Sequence, residues 1–193
     1  RDRSVSRGLG DVYKRQVDYC HERGVRAYIT LNTLVFDREL CDALVFAEQL
    51  YRIGVDAVLV QDLGLAGLIR RNLPELTLHA STQMGIHDLG GLQYCKRIGL
   101  TRAVLARETS LAQIKYLSNN CDIELETFAH GALCMSFSGS CLYSSMSGER
   151  SGNRGTCAQP CRKNASIFGR PSDKDFCLSP NDICMIELSL IHI

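Results

Sequence analysis

The chain has 193 residues, 45% of them hydrophobic and 22% charged, with a formal net charge of +1. That is enough chain for one sizeable core, and the balance is that of an ordinary globular domain rather than a disordered or fibrous one. No apolar run approaches the roughly 18 residues of a membrane span, and no N-terminal segment has the basic, apolar and small-residue zones of a secretory leader. A cytoplasmic location is expected. Thiols stay reduced there, so the ten cysteines point to metal or redox chemistry rather than a disulfide framework.

The first stretch, "RDRSVSRGLGDVYKRQ" (residues 1–16), has no sustained periodicity and joins abruptly to a helical pattern. It and the closing "LSLIHI" (residues 188–193) read as translated adapter sequence, expected to be tails foreign to the fold. Residues 1–16 hold five basic and two acidic side chains, so residues 17–187 carry a net charge of −2. Charge therefore neither demands nor excludes an RNA partner.

From residue 17 onward strand and helix alternate. "VRAYITLNT" (25–33) is a β-branched and aromatic run, followed by an amphipathic helix over 38–53. "DAVLVQDLG" (56–64) is a short apolar strand, followed by a helical stretch through Ile69. "LTLHASTQM" (76–84) follows the turn "NLPE", and a helix over 89–98 ends at Gly99. "RAVLARE" (102–108) and "DIELETF" (122–128) flank a helix over 110–119, with Ser110 as its N-cap. Apolar strands separated by helices imply a buried parallel sheet. Successive strands begin 31, 20, 26 and 20 residues apart. That cadence fits a (β/α)8 barrel, in which roughly 250 residues serve eight units, and it also fits an open doubly wound sheet.

The strand ends favour the barrel. Asn32, Gln61 with Asp62, then His79, Ser81 and Gln83, then Arg107 with Glu108, and finally Glu126 with His130 place polar groups at every C-terminal edge. Barrel active sites are assembled at that edge, although strand ends that meet water are polar in any fold. The expected architecture is α/β: a partial TIM-like barrel of about five β/α units over 17–131, then a Cys-rich irregular segment over 132–187 of the same domain. Five units are too few to close a barrel, so the chain by itself is expected to be inactive and poorly stable.

After Gly131 the character changes. "SFSGSCLYSSMSGERSGNRGTCAQPCRKNAS" is rich in Gly, Ser and Cys with no lasting periodicity, and so long a stretch within a domain is usually functional or disordered. Six cysteines between Cys134 and Cys184 argue that something organises it. Cys134 and Cys141 are spaced too widely for a zinc knuckle. Wide spacings with Gly and Ser between them suit an iron–sulfur cluster, whose thiolates can come from separate loops. Inert buried thiols are the plainer reading for any one of them.

The stretch "ETFAHGALCMSFSGSC" (126–141) closely resembles the signature of the U32 peptidase family, roughly E-x-F-x-x-G-(A/S)-x-C followed by G-x-C. "SGERSGNRGTCAQPCR", "LSPNDIC", "LNTLVF", "VQDLG" and "LHASTQM" are similar to the same family. The resemblance covers about residues 17–187 and departs at Tyr143, where the signature prefers an aliphatic residue. It implies two activities. The family label implies a collagenase-like protease acting on peptides; better-understood members imply an iron–sulfur enzyme that hydroxylates RNA bases or a small aromatic substrate. By motif it assigns Cys134, Cys141 and Cys157 to a cluster, taken as 4Fe-4S, with Cys184 as fourth ligand and Cys161 as the alternative. Cys177 matches no motif position, and Cys20, Cys41, Cys95 and Cys121 fall in or beside helices as packing residues.

Proteolysis needs a nucleophile hydrogen-bonded to a base. The cysteines near His130 are better explained as metal ligands, Ser136, Ser138 and Ser144 lack a nucleophile elbow, and no H-E-x-x-H motif is present. Hydroxylation is the favoured reading. In it His130 moves protons, Glu126 orients, His79 is a further catalytic candidate, and Arg107 holds an anionic cosubstrate or phosphate. Asn32, Gln61 and Gln83 complete the expected substrate-binding edge. A non-catalytic, cluster-bearing structural or redox-sensing protein is a third possibility.

Overall fold

Five short apolar segments form strands β1 (Tyr28–Leu31), β2 (Ala57–Val60), β3 (Leu78–Ala80), β4 (Arg102–Val104) and β5 (Glu124–Glu126). They make one sheet in which every neighbouring pair is parallel. The coordinates are a computed structural model that describes residues 4–131, 133–163 and the pair Ile183–Cys184, with 4–10 and 183–184 described by backbone alone. The spatial order is β1-β2-β3-β4-β5, and it separates the two architectures the sequence allowed. A doubly wound sheet reverses its strand order at a switch point, whereas a sheet that keeps winding one way is an arc of a barrel. The fold is α/β, a five-unit arc of a TIM-like barrel.

The crossovers are helices: α1 (Ser4–His21) precedes β1, and α2 (Asp37–Arg52), α3 (Leu63–Asn72), α4 (Leu89–Arg97) and α5 (Leu111–Asn120) follow the first four strands. Register aligns Ile29 with Val58, Val58 with Leu78, Val60 with Ala80, Ala80 with Ala103, and Ala103 with Leu125. Because side chains alternate along a strand, this row shares one face and packs with Leu50, Leu65, Ile69, Leu92 and Leu117 of the helices in a continuous core. The other row, Tyr28, Leu59, His79, Arg102, Glu124 and Glu126, lies on the opposite face, which a barrel turns toward its axis.

The strands are shorter than the apolar runs suggest, because polar residues at their ends bond the nearby backbone. Asp62, expected inside a strand, is the N-cap of α3 and accepts from the Leu65 N–H at 2.8 Å. Ser81 accepts from the Gln83 N–H at 3.3 Å, which ends β3 and starts a 3-10 turn, Thr82–Met84. Asp88 caps α4 through the Gly91 N–H at 2.7 Å, and Ser110 caps α5 as expected. Helix α1 crosses the 16/17 boundary without a break; Tyr13 meets Phe46 edge-on at 5.8 Å, and Val17 is buried.

Beyond β5, the ribbon strand β6 (His130–Gly131) pairs antiparallel with β7 (Ile183–Cys184), His130 opposite Cys184. Between them lie α6 (Tyr143–Gly148) and 3-10 turns at Gly152–Arg154 and Pro160–Arg162. Among the described residues no helix is long and apolar enough to cross a membrane.

Leu78 is fully buried in the central strand, so Leu78→Ala should lower the unfolding free energy by about 2–5 kcal/mol. Tyr116→Ala, at an exposed helix position, should stay within about 0.5 kcal/mol of the parent. Urea titration of both variants checks the contrast.

Candidate metal centre

The segment 133–140 has almost no apolar core of its own, so its backbone groups must be satisfied from outside it. The ends of β3 and β4 supply the partners. Arg107 Nε donates to the Cys134 carbonyl at 3.2 Å and Nη2 to the Ser136 carbonyl at 3.0 Å. The Ser138 N–H and hydroxyl both donate to the Glu108 carboxylate, at 2.9 and 3.0 Å, and the Arg107 N–H donates to Ser138 Oγ at 3.1 Å. Burial is the largest single influence on the Glu108 carboxyl and acts upward, but the hydrogen bonds it accepts and the Arg107 charge together hold it below its ordinary range. The Gly139 N–H donates to Gln83 Oε1 at 3.0 Å. Gly139 sits at φ +74, and a Cβ there would lie 2.0 Å from the Gln83 backbone oxygen, so the approach requires glycine.

A second anchor fastens the segment at the far side of the sheet. Arg154 donates to both carboxylate oxygens of Glu39, at 2.8 and 2.7 Å, and also to the Leu34 carbonyl. The Leu34 N–H returns a bond to the Asn153 carbonyl at 2.9 Å. The paired guanidinium, with the Phe36 N–H after it, pulls the Glu39 carboxyl down to about 2. Inside the segment, the Ala158 N–H donates to the buried Ser144 hydroxyl at 2.8 Å.

Between the anchors lies a cavity of about 380 Å³ whose walls include Cys134, Cys141, Cys157 and Cys161, with Gln83 and Arg107 beneath them. Burial pushes the Cys161 thiol up, and the neighbouring charges of Cys134 and Cys157 push it further. Thiols this close cannot all ionise unless a cation stands among them. Soft thiolate donors suit iron–sulfur clusters and zinc, so the donor set fits a cluster. Among the described residues no group of three His, Cys, Asp or Glu side chains already stands as a metal site; the four thiols surround a space rather than converge on a point. The Cys184 backbone pairs with His130, four residues before Cys134; its side chain and Cys177 lie outside the described residues.

The other expected site residues divide. Gln83 and Arg107 belong to the thiol cavity, both committed to holding the cysteine loop. His79 does not reach it. It is buried on the inner face, edge-on to Tyr28 at 5.1 Å, its Nδ1 without a partner among the described residues. Burial, and then the Arg102 charge, lowers it to about 4, so it is neutral at neutral pH. Glu126 is paired with Arg102 at 3.3 Å, and Arg102 also holds Glu124 at 2.6 Å. His130 is exposed on β6. Asn32 donates to the Ser81 hydroxyl at 3.1 Å. Gln61 is buried with its Oε1 unpartnered among the described residues, beside a separate cleft with Leu34, Met84 and Tyr94. Among the described residues no Ser or Cys side chain is hydrogen-bonded to a histidine. Sequence reasoning did not find the anchoring roles of Glu108 and Ser138, nor the Glu39–Arg154 pair.

The family model described as "Peptidase family U32" matches residues 10–190. A 23S rRNA 5-hydroxycytidine synthase of Escherichia coli is 40% identical over 82% of this chain and 24% of its own. The tRNA hydroxylation protein P1 of Bacillus subtilis is 33% identical over 89% of this chain and 43% of its own. A protein named collagenase, from Porphyromonas gingivalis, is 30% identical over 92% of this chain and 46% of its own. The chain thus spans less than half the length of these relatives. Among solved structures, a U32 peptidase superposes with a TM-score of 0.52 at 16% identity, over 63% of this chain and 52% of that one. The copper homeostasis protein CutC of Streptococcus agalactiae gives 0.50 at 16% identity, over 77% and 78%. At such identities the two structures speak to the fold alone.

Gly139→Ala should cost about 1–3 kcal/mol in urea unfolding, whereas Gly148→Ala, with open space and an ordinary φ, should cost nothing or stabilise slightly. Glu39 contributes to docking only when ionised. Because its folded value lies below the ordinary 4.5, the contribution is present above pH 4.5 and is lost as pH falls toward 2. Hydrogen exchange over 150–157, normalised to intrinsic rates, should therefore speed up through that window in the parent. In Glu39→Gln it should be fast and lack this pH-dependent transition.

Proposed function

We propose that this chain, which belongs to peptidase family U32, is the cluster-holding part of an enzyme that hydroxylates bases in RNA. The observation that carries the reading is the gathering of four thiols in one cavity above the C-terminal edge of a barrel-type sheet, where barrel enzymes carry their chemistry. The rRNA and tRNA hydroxylation proteins among its relatives support the substrate class. A small aromatic substrate would fit the same chemistry. Reduced cytosolic thiols are the setting in which such a site persists.

Cys134, Cys141 and Cys157 are the assigned ligands, with Cys184 as the fourth by resemblance and Cys161 the alternative. Bound there, an iron–sulfur cluster, taken as 4Fe-4S, supplies one-electron chemistry. The chain's own residues do the rest. Arg107 and Glu108 fix the loop that carries Cys134 and Cys141, and Gln83 holds Gly139. His130, exposed on the ribbon that brings in Cys184, is assigned to move protons. Glu126, oriented by Arg102, is the carboxylate assigned to position substrate. His79 stays neutral on the inner face and serves as a hydrogen-bonding group there.

Peptide hydrolysis, suggested by the family name and the collagenase relative, requires an activated nucleophile beside a base. The described residues offer no such pair, so hydroxylation is the better-supported reading.

Anaerobically purified protein should contain iron and sulfide and show the charge-transfer absorbance of a cluster. Cys134→Ser, Cys141→Ser and Cys157→Ser should each lose iron and Cys177→Ser should keep it; comparing Cys184→Ser with Cys161→Ser identifies the fourth ligand. Mass spectrometry of RNA nucleosides should show a hydroxylated base that disappears on deletion and returns with the parent gene but not with Cys134→Ser. A colourless, zinc-loaded protein would reject the reading.

A further inference from the structure

The mouth of the thiol cavity exposes more apolar surface than a cysteine site needs. Phe137 is 72% exposed, with Met135 and Tyr143 also exposed. Phe137, Tyr143 and Met135 line the cavity itself. Exposed apolar side chains gathered around one cavity mark a binding surface. Its charge indicates the partner. Residues 133–163 hold Arg150, Arg154, Arg162 and Lys163 against one acid, Glu149, a local +3 in a chain whose total is only +1. Arg154 is neutralised by Glu39, but Lys163 is exposed, as is Arg150, whose Nε donates to the Thr156 carbonyl at 2.9 Å and whose charge no carboxylate offsets among the described residues. Aromatic faces interleaved with basic side chains are how single-stranded nucleic acid is held: bases stack on the rings and phosphates meet the cations. A base paired within a duplex cannot offer its face to a ring, so the surface selects unpaired nucleotides.

We propose that the cavity mouth is a binding site for an unpaired RNA nucleobase, with Phe137 and Tyr143 as stacking platforms and Arg150 and Lys163 holding the flanking phosphates. This deepens the hydroxylation reading, on which its choice of RNA rests. It places the base directly over the four thiols.

The test is fluorescence anisotropy of the whole protein with a labelled single-stranded oligoribonucleotide of about 12 nucleotides, beside the fully paired duplex of the same sequence. The single strand should bind more tightly than the duplex. Phe137→Ala should weaken single-strand binding about tenfold with its salt dependence unchanged, and Phe137→Trp should restore it. Lys163→Ala should reduce the slope of log affinity against log salt by about one. Phe137 is exposed, so its truncation removes no core packing, and unchanged circular dichroism should confirm this. Equal affinity for duplex and single strand, or a Phe137→Ala variant that binds like the parent, overturns the proposal. So does a protein partner whose capture requires Phe137 while RNA binding does not. Failures of the two readings are separable. Phe137-dependent RNA binding with no change in cellular nucleosides removes the hydroxylation reading alone. A hydroxylated base that depends on Cys134 but not on Phe137 removes the stacking site alone.

Discussion

A polypeptide segment rich in Gly, Ser and Cys, with its few large apolar side chains exposed, cannot hold its own shape, because it buries too little apolar surface to offset the entropy of ordering it. Everything distinctive about this molecule follows from how that deficit is met. The sheet edge lends the segment a set of side-chain partners. Arg107, Glu108 and Gln83 bond loop backbone groups directly, and Glu39 grips Arg154 from the other side. The strand ends thus act first as a scaffold for the loop. Residues that look like substrate contacts in isolation, Arg107 above all, are already engaged by carbonyl oxygens.

That engagement divides the polar residues of the sheet into two groups. Gln83, Arg107 and Glu108 lie beyond the last strand residues and face the loop. Tyr28, His79, Arg102, Glu124 and Glu126 lie within strands on the inner face, linked to one another by a ring contact and ion pairs. Chemistry near the thiols and chemistry on the inner face are different environments. The first is open to solvent and thiol-rich. The second is partly buried and keeps its histidine uncharged.

The sequence disclosed the strand–helix alternation well, since each strand is a compact apolar run, α4 stops at Gly99 and α5 starts at the Ser110 cap. Its preference for a barrel over a doubly wound sheet rested on the polar C-terminal strand ends alone, because strand order is a long-range property that periodicity does not encode; the observed order bears that preference out. Asp62 and Ser81 were read as strand-end polar groups, while their carboxylate and hydroxyl cap the following turns; such short-range bonds leave the hydrophobic pattern unchanged. The cysteines that line the cavity were legible from a dense local motif. The Glu39–Arg154 pair was not, since each partner reads as an ordinary surface charge and 115 residues separate them. His79 was grouped with Gln83 by proximity in sequence, yet it lies inside β3 on the inner face, while Gln83 lies in the turn beyond.

The same separations impose an order in time. Neighbouring strands pair across a single helix, so the sheet grows by comparatively short loop closures, whereas the anchors join residues about 30, 56 and 115 positions apart. Contacts that close longer loops carry a greater entropic cost before they contribute. Arg154 cannot find Glu39 until α2 and β1 have placed Glu39 and Leu34 together, nor can Ser138 find Glu108 until β4 is seated. The thiol chamber therefore assembles after the sheet edge that anchors it. A metal bound among the four thiols would tie together the two anchored ends of the segment and add its binding free energy to their ordering.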